Sequence, residues 1–188
     1  SHRRIRFLSL AFPALLFLGT LPAVTLSDSQ ALEIGRRIWK NECDGTVAGL
    51  TSWNSGEDFA SLGIGHFIWY PKGKRGPYEE SFPPLTASLA AQGVRVPDWM
   101  RGPCVWKTRR EFQADQNSSR MQELRKLLAA TIPQQARFAA QRLERALPKM
   151  FASAPKGERD RVKGNFQRVA SQPLGYYALM DYVNFKGE

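Results

Sequence analysis

Residues 42–66 read ECDGTVAGLTSWNSGEDFASLGIGH, and the reading of this stretch decides the fold. Upstream of it, Ala31, Ile34, Ile38 and Glu42 recur at spacings of three and four, so they share one face of a helix. Ser27 or Asp28 can cap its start, Glu33 falls in its early turns, and the helix is expected to end near Cys43, before Gly45. The Glu42 carboxyl then stands where the apolar stripe runs out. Partial removal from water disfavours the carboxylate form, which lifts a carboxyl pKa toward the value a general acid needs near neutrality.

Downstream, Gly45 and Gly49 bracket Thr46 and Val47, residues 50–53 precede the turn-rich Asn54, Ser55 and Gly56, and residues 59–70 follow as an aromatic and aliphatic run. That pattern predicts a β-hairpin with a glycine-containing loop. Gly63 and Gly65 are two apart, so on one strand they would share a face and leave a bare strip of main chain open to an extended ligand. Strand alternation aims His66 the other way. It is expected to pair with a buried acid and pin the hairpin rather than take part in chemistry.

The order helix, glutamate, glycine-containing hairpin and Ser61-Leu62-Gly63-Ile64-Gly65-His66 resembles the phage-type lysozymes of the lysozyme-like superfamily. The likeness is specific over residues 28–70 and loose over 174–188, where an aromatic, Asn and Gly cluster is similar to the lysozyme helix that packs across the cleft. The middle matches only in being helical. The resemblance implies an α+β, mainly helical fold in which a small antiparallel β-hairpin forms one wall of the cleft. It also implies cleavage of β-1,4 bonds in peptidoglycan, with no cofactor. Glu42 takes the place of the general acid and Ser61 that of a threonine which helps to place a water. Substrate contacts fall to Gly63, Gly65, Trp53, Tyr182 and Asn184.

This hairpin is a few residues longer than the family's, and position 55 is serine where the family's spacing calls for aspartate. The second carboxylate is therefore Glu57, ahead of Asp58, or is absent. Without it, a lytic transglycosylase stays open, since the substrate's own hydroxyl can attack. A domain that kept the fold and lost the chemistry would be a non-catalytic wall-binding module. The longer hairpin is also similar to chitosanase-type relatives, but chitosan is a polycation and would be repelled by a basic chain. The plainer assignments are a surface carboxylate for Glu42, turn acids for Glu57 and Asp58, and a strand hydroxyl for Ser61.

With 188 residues, 43% hydrophobic and 23% charged, the chain can build one domain with a real core, placed at residues 28–188. Residues 1–27 read as a secretory signal peptide: a basic start at His2-Arg3-Arg4-Ile5-Arg6, then a twelve-residue apolar run over 7–18 broken only by Ser9 and Pro13, then small or polar residues. The run is too short for a span of ~20 residues, with an uncleaved anchor as the alternative. An exported product, periplasmic or secreted, is expected. Without residues 1–27 the chain carries 24 basic against 17 acidic side chains, net +7, which favours an anionic polymer. For an exported protein that polymer is cell-wall glycan; no nucleic acid and no stable membrane insertion are expected.

In an oxidising compartment Cys43 and Cys104 are expected to form a disulfide that fixes the backbone beside Glu42. With His66 as the one histidine outside the leader, they make no recognised metal spacing, and a Cys43–His66 nucleophilic pair is the lesser reading. Further helices are expected at 85–92, resuming a short helix that Tyr78-Glu79-Glu80 opens and Pro83-Pro84 interrupt, and at 108–114, 118–130, 133–152 and 156–171, the last with Val162, Phe166 and Val169 inside. Pro148 should bend or restart the fourth of these. Trp99 and Trp106 are core residues or a sugar platform, core being the commoner fate. The domain is expected to stop short of the terminal helix that the family usually adds.

Overall fold

The computed structural model describes residues 26–186, so the predicted signal peptide, apart from its last two residues, lies outside the described residues. The chain folds as a mainly helical α+β protein with a small three-stranded antiparallel sheet, as the sequence predicts. Helix α1 spans Asp28–Glu42; strands β1 (Thr51–Ser52), β2 (Ala60–Leu62) and β3 (Phe67–Trp69) follow; then come α2 (Phe82–Ala91), α3 (Arg109–Ala114), α4 (Ser119–Ala130), α5 (Ile132–Ser153), α6 (Arg159–Ala170) and α7 (Pro173–Lys186).

Helix α1 begins with a capping box: Ser27 Oγ accepts from the Gln30 N–H at 3.2 Å, and Gln30 Oε1 accepts from the Ser27 N–H at 2.9 Å. Its buried stripe of Ala31, Ile34, Gly35 and Ile38 lies against α5. A Cβ on Gly35 would come within 2.7 Å of Ile132 Cγ2, so glycine in mid-helix is what lets the start of α5 approach this closely. Helix α5 is the hub, with α1, α2, α6 and α7 all packed on it. Pro133 sits in its first turn, where the missing N–H costs nothing. The helix then runs through Pro148 as one element of 22 residues, with no restart.

The hairpin expectation needs a correction. Residues 59–70 are two strands rather than one, because Gly63 at φ +72° and His66 at φ +45° turn the chain between β2 and β3. The register pairs Ser52 with Ser61 and Ser61 with Ile68, while Leu62 faces Thr51 and Phe67. Paired residues share a face. Ala60, Leu62, Phe67 and Trp69 therefore enter the core, and Ser52, Ser61 and Ile68 form the row on the opposite face.

Behind the sheet a chain of rings forms the centre of the core: Trp69 against Phe82 at 4.7 Å and Trp106 at 6.1 Å, Trp106 against Phe112 at 5.0 Å, and Phe112 against Trp53 at 5.8 Å. Trp106 is thus a core residue, and Trp99 packs half-buried on the same cluster. Each fully buried side chain of this size contributes about 1.5–3 kcal/mol. Two smaller corrections follow from packing. Helix α2 does not open at 78–80 and break at Pro83-Pro84 but starts at Phe82 and carries both prolines in its first turn. Val169 of α6 is 44% exposed, since no residue of that helix is buried.

Candidate functional site

Glu42 is the last residue of α1 and is half-buried. The main chain around it is fastened on both sides. Ahead of it, Cys43 N–H and Gly45 N–H both donate to the Trp39 carbonyl, at 3.0 and 3.1 Å, while Asp44 at φ +54° and Gly45 at φ +65° reverse the chain. The Trp39 indole N–H donates to the Thr46 carbonyl at 2.8 Å and the Thr46 hydroxyl donates to the Cys43 carbonyl at 3.1 Å, closing the helix end. From the other side, the His66 ring hydrogen-bonds the Glu42 carbonyl. Burial lowers the His66 pKa below its ordinary value, and that hydrogen bond and the Glu57 charge oppose the shift only in part. His66, expected to pair with a buried acid, bonds instead to the main chain at the end of α1, where burial favours its neutral form.

The same ring separates the two candidate second carboxylates. Glu57 is half-buried, its charge reaches His66, and its Oε2 is closed off from solvent with no hydrogen-bond partner among the described residues. Asp58 is exposed, and its charge acts on Tyr70: burial pushes the Tyr70 phenol up, and the Asp58 charge adds to that shift. The Glu42 main chain and the Glu57 charge both act on His66. Ser61, 4% exposed, lies at the middle of β2 on the face away from the core, where its carbonyl accepts from the Ser52 hydroxyl at 3.2 Å.

The glycine pair has a different use from the one expected. Gly63 and Gly65 lie in the β2–β3 turn, both buried, so they leave no open strip on a strand. The space a side chain would need is filled: a Cβ on Gly63 would run into Gln135 Oε1, and one on Gly65 would meet the Phe67 ring at 2.7 Å. The turn is tied instead to its neighbours, with Gly63 N–H donating to the Leu50 carbonyl at 2.8 Å and Ile64 N–H to Gln135 Oε1 at 3.0 Å.

Trp53 is also corrected from substrate contact to interior residue: it is 6% exposed, and its indole N–H donates to the Glu57 carbonyl at 2.7 Å. Tyr182 on α7 is 56% exposed and free to meet a ligand. The side chain of Asn184 lies outside the described residues. One residue before the acid, Asn41 Nδ2 donates to Tyr177 Oη at 2.7 Å, so α7 is tied to the end of α1.

The expected disulfide is absent. Cys43 and Cys104 are both buried free thiols, each pushed up to about 12, chiefly by burial. Cys43 Sγ packs under the turn, 3.7 Å from the Gly63 carbonyl and 3.9 Å from His66 Nε2, whereas Cys104 sits beside β3 with its N–H on the Tyr70 carbonyl. A thiol so shielded is a poor nucleophile, which disfavours the Cys43–His66 pair as chemistry. Among the described residues no cluster of His, Cys, Asp or Glu is placed to hold a metal ion, and no helix is long and apolar enough to cross a membrane.

Two residues that fix this geometry escaped the sequence reading. Gln135, 0% exposed, carries the turn on Oε1 and donates from Nε2 to the Leu128 carbonyl and the Thr131 hydroxyl, at 2.7 and 3.0 Å. Arg109 Nε donates to the Trp53 carbonyl at 2.8 Å. A glutamine on an otherwise apolar helical stripe is the one signal that pointed to the first; nothing local marked the second. No family model, curated protein or solved structure matches this chain.

Proposed function

We propose that this protein is a glycoside hydrolase that cleaves β-1,4 bonds of peptidoglycan, with Glu42 as general acid and Glu57 as the second carboxylate. The observation that carries the reading is Glu57 Oε2, a carboxylate oxygen enclosed yet without a hydrogen-bond partner among the described residues, whose charge reaches the imidazole that bonds the Glu42 carbonyl. A buried acceptor with no donor is costly, so such an atom is kept where an incoming water or sugar hydroxyl completes it. Glu42 protonates the leaving glycosidic oxygen as the bond to the anomeric carbon breaks. Glu57 takes a proton from the attacking water or stabilises the oxocarbenium-like transition state. Ser61, buried on the face of β2 away from the core, helps to place that water. The reaction needs no cofactor.

The basic balance of the chain, net +7 over residues 28–188, suits an anionic wall polymer. Release of muropeptides from purified sacculi tests the reading. Glu42→Gln is expected to lower release by roughly 10²- to 10⁴-fold, as removal of a general acid does, and Glu57→Gln to lower it strongly while Asp58→Asn leaves it near wild type. Products ending in a reducing sugar support hydrolysis; anhydro ends mean transglycosylation with Glu57 in another role. A protein that pellets with sacculi and releases nothing is a wall-binding module, and the proposal falls.

A further inference from the structure

The carboxylate just assigned stands at the tip of a loop that has no reason of its own to keep one shape. Residues 54–57 form a tight turn closed by Glu57 N–H to the Asn54 carbonyl at 3.3 Å, with Gly56 at φ +84°. Asn54, Ser55 and Gly56 are exposed, and a Cβ on Gly56 would have nothing within 4 Å. An exposed glycine turn of this kind samples many conformers. A reacting group carried on it loses about 10²-fold in rate for a displacement near 1 Å.

We infer that Trp53 and Arg109 are positioning residues that clamp this turn and hold Glu57 in the orientation its chemistry needs; the inference rests on the glycosidase reading above. The turn is held at both ends. At its exit, the Trp53 indole N–H reaches across to the Glu57 carbonyl at 2.7 Å. At its entrance, Arg109 Nε donates to the Trp53 carbonyl at 2.8 Å. The N–H and the C=O of Glu57 are thereby both engaged inside the loop.

The clamp is itself anchored. The Trp53 ring packs on Phe112 at 5.8 Å, and Phe112 is 2% exposed inside the ring cluster of the core. The Gln113 amide, with its oxygen toward the guanidinium, accepts from Arg109 Nη1 and Nη2 at 3.1 and 2.8 Å. All three of Arg109, Phe112 and Gln113 belong to α3, whose start is capped by the Thr108 hydroxyl. A rotamer locked by packing and by a second hydrogen bond is what keeps a reacting side chain in register.

Steady-state kinetics of Trp53→Phe, which keeps a ring against Phe112 and removes the N–H, test the inference on full-length protein with sacculi or soluble muropeptide oligomers. The expected result is a fall in kcat of about 10- to 100-fold with KM within about twofold. Arg109→Ala should act in the same direction and Arg109→Lys should restore part of the loss. Should Trp53→Phe fold poorly, benzothienylalanine at position 53 replaces the N–H by sulfur with the ring shape kept.

A readout free of turnover separates this inference from the reading beneath it. The Trp53 indole N–H, followed by 15N NMR, should exchange slowly with solvent and speed up in Arg109→Ala. Fast exchange in the wild type overturns the clamp even if the enzyme is active. Wild-type kcat in both Trp53→Phe and Arg109→Ala overturns it as well. A protected indole in a protein that releases no product sinks the glycosidase reading, and the positioning role with it.

Discussion

Two turns in this molecule, 54–57 and 63–66, both use a glycine at positive φ, yet they stand in opposite surroundings. The 63–66 turn is buried, with Gly63 N–H on the Leu50 carbonyl and Ile64 N–H on the Gln135 side chain. The 54–57 turn has residues 54–56 exposed, and Trp53 and Arg109 hold its two ends. The difference separates frame from tool. A turn sealed into the core can fix the end of α1 through His66 but has no room to admit a ligand. The exposed turn carries Glu57 half-buried at its end, with Oε2 enclosed and open to a partner that the described residues do not supply.

Matched glycine substitutions should break the two apart with the largest effect. In Gly63→Ala the new methyl collides with Gln135 Oε1 and lies 3.2 Å from Phe67 Cδ2, at a backbone angle alanine tolerates poorly. Strain and overpacking together are expected to destabilise by about 3 kcal/mol or more. Gly56→Ala meets no atom and carries only the left-handed cost of roughly 1–2 kcal/mol. Urea denaturation of the pair checks this. Equal losses would mean that the buried turn yields as readily as the exposed one, and the contrast would vanish.

Gln135→Leu sharpens the same contrast from the helix side. It leaves the Ile64 N–H without its acceptor in a place with no water access, while the Leu128 carbonyl keeps the Thr131 N–H at 3.3 Å. An orphaned buried group costs about 1–3 kcal/mol. The expected outcome is a stability loss of about 1–3 kcal/mol with the activity per folded molecule little changed, measured by thermal unfolding beside turnover at low temperature. A large fall in kcat at unchanged stability would show that the buried turn serves the chemistry directly.

What the sequence could and could not disclose follows the same division. Helix α1, its Ser27 cap and its glutamate end were legible because cap and stripe are local signals at fixed spacing. The helices 109–114, 119–130 and 132–153 were legible for the same reason. The Gly-Ile-Gly-His run was read as strand, because two glycines two apart fit strand alternation as well as they fit a turn. What decides between them is Gln135, whose side chain arrives from 71 residues away. The disulfide was misjudged likewise: two cysteines and an exported chain suggest a bond, but packing sends one under the turn and the other beside β3. Glu57 could be put ahead of Asp58 but not oriented, since the indole that holds its carbonyl must first be placed by Phe112 and Arg109.

A smaller effect is expected from pH. Burial depresses the His66 pKa in the folded protein, while in the unfolded chain it returns to about 6.5. As pH falls through that ordinary value the unfolded chain takes up the proton first, so this contribution to stability is complete above it and is lost progressively down to the folded pKa. Thermal midpoints between pH 8 and pH 5 should therefore drop more steeply for the wild type than for His66→Gln. A variant that tracks the wild type would mean that the ring is already solvated and does not pin Glu42.

The smallest perturbation uses the two thiols as reporters. With both pushed up to about 12 and both buried, neither is a thiolate at pH 8, and the native protein should react slowly with a disulfide reagent. Unfolding without reductant should expose two reactive thiols; finding none would restore the disulfide. Cys43 packs against the Gly63 carbonyl and His66, so its modification rate reads out opening of the buried turn alone. Gly63→Ala should therefore speed the modification of Cys43, identified by peptide mapping, whereas Gly56→Ala should change it far less, because the exposed turn reaches His66 beside Cys43 only through the Glu57 charge. If both variants speed it alike, the two turns open together, and the sealed turn gives the helix-end acid no firmer support than the clamped one gives Glu57.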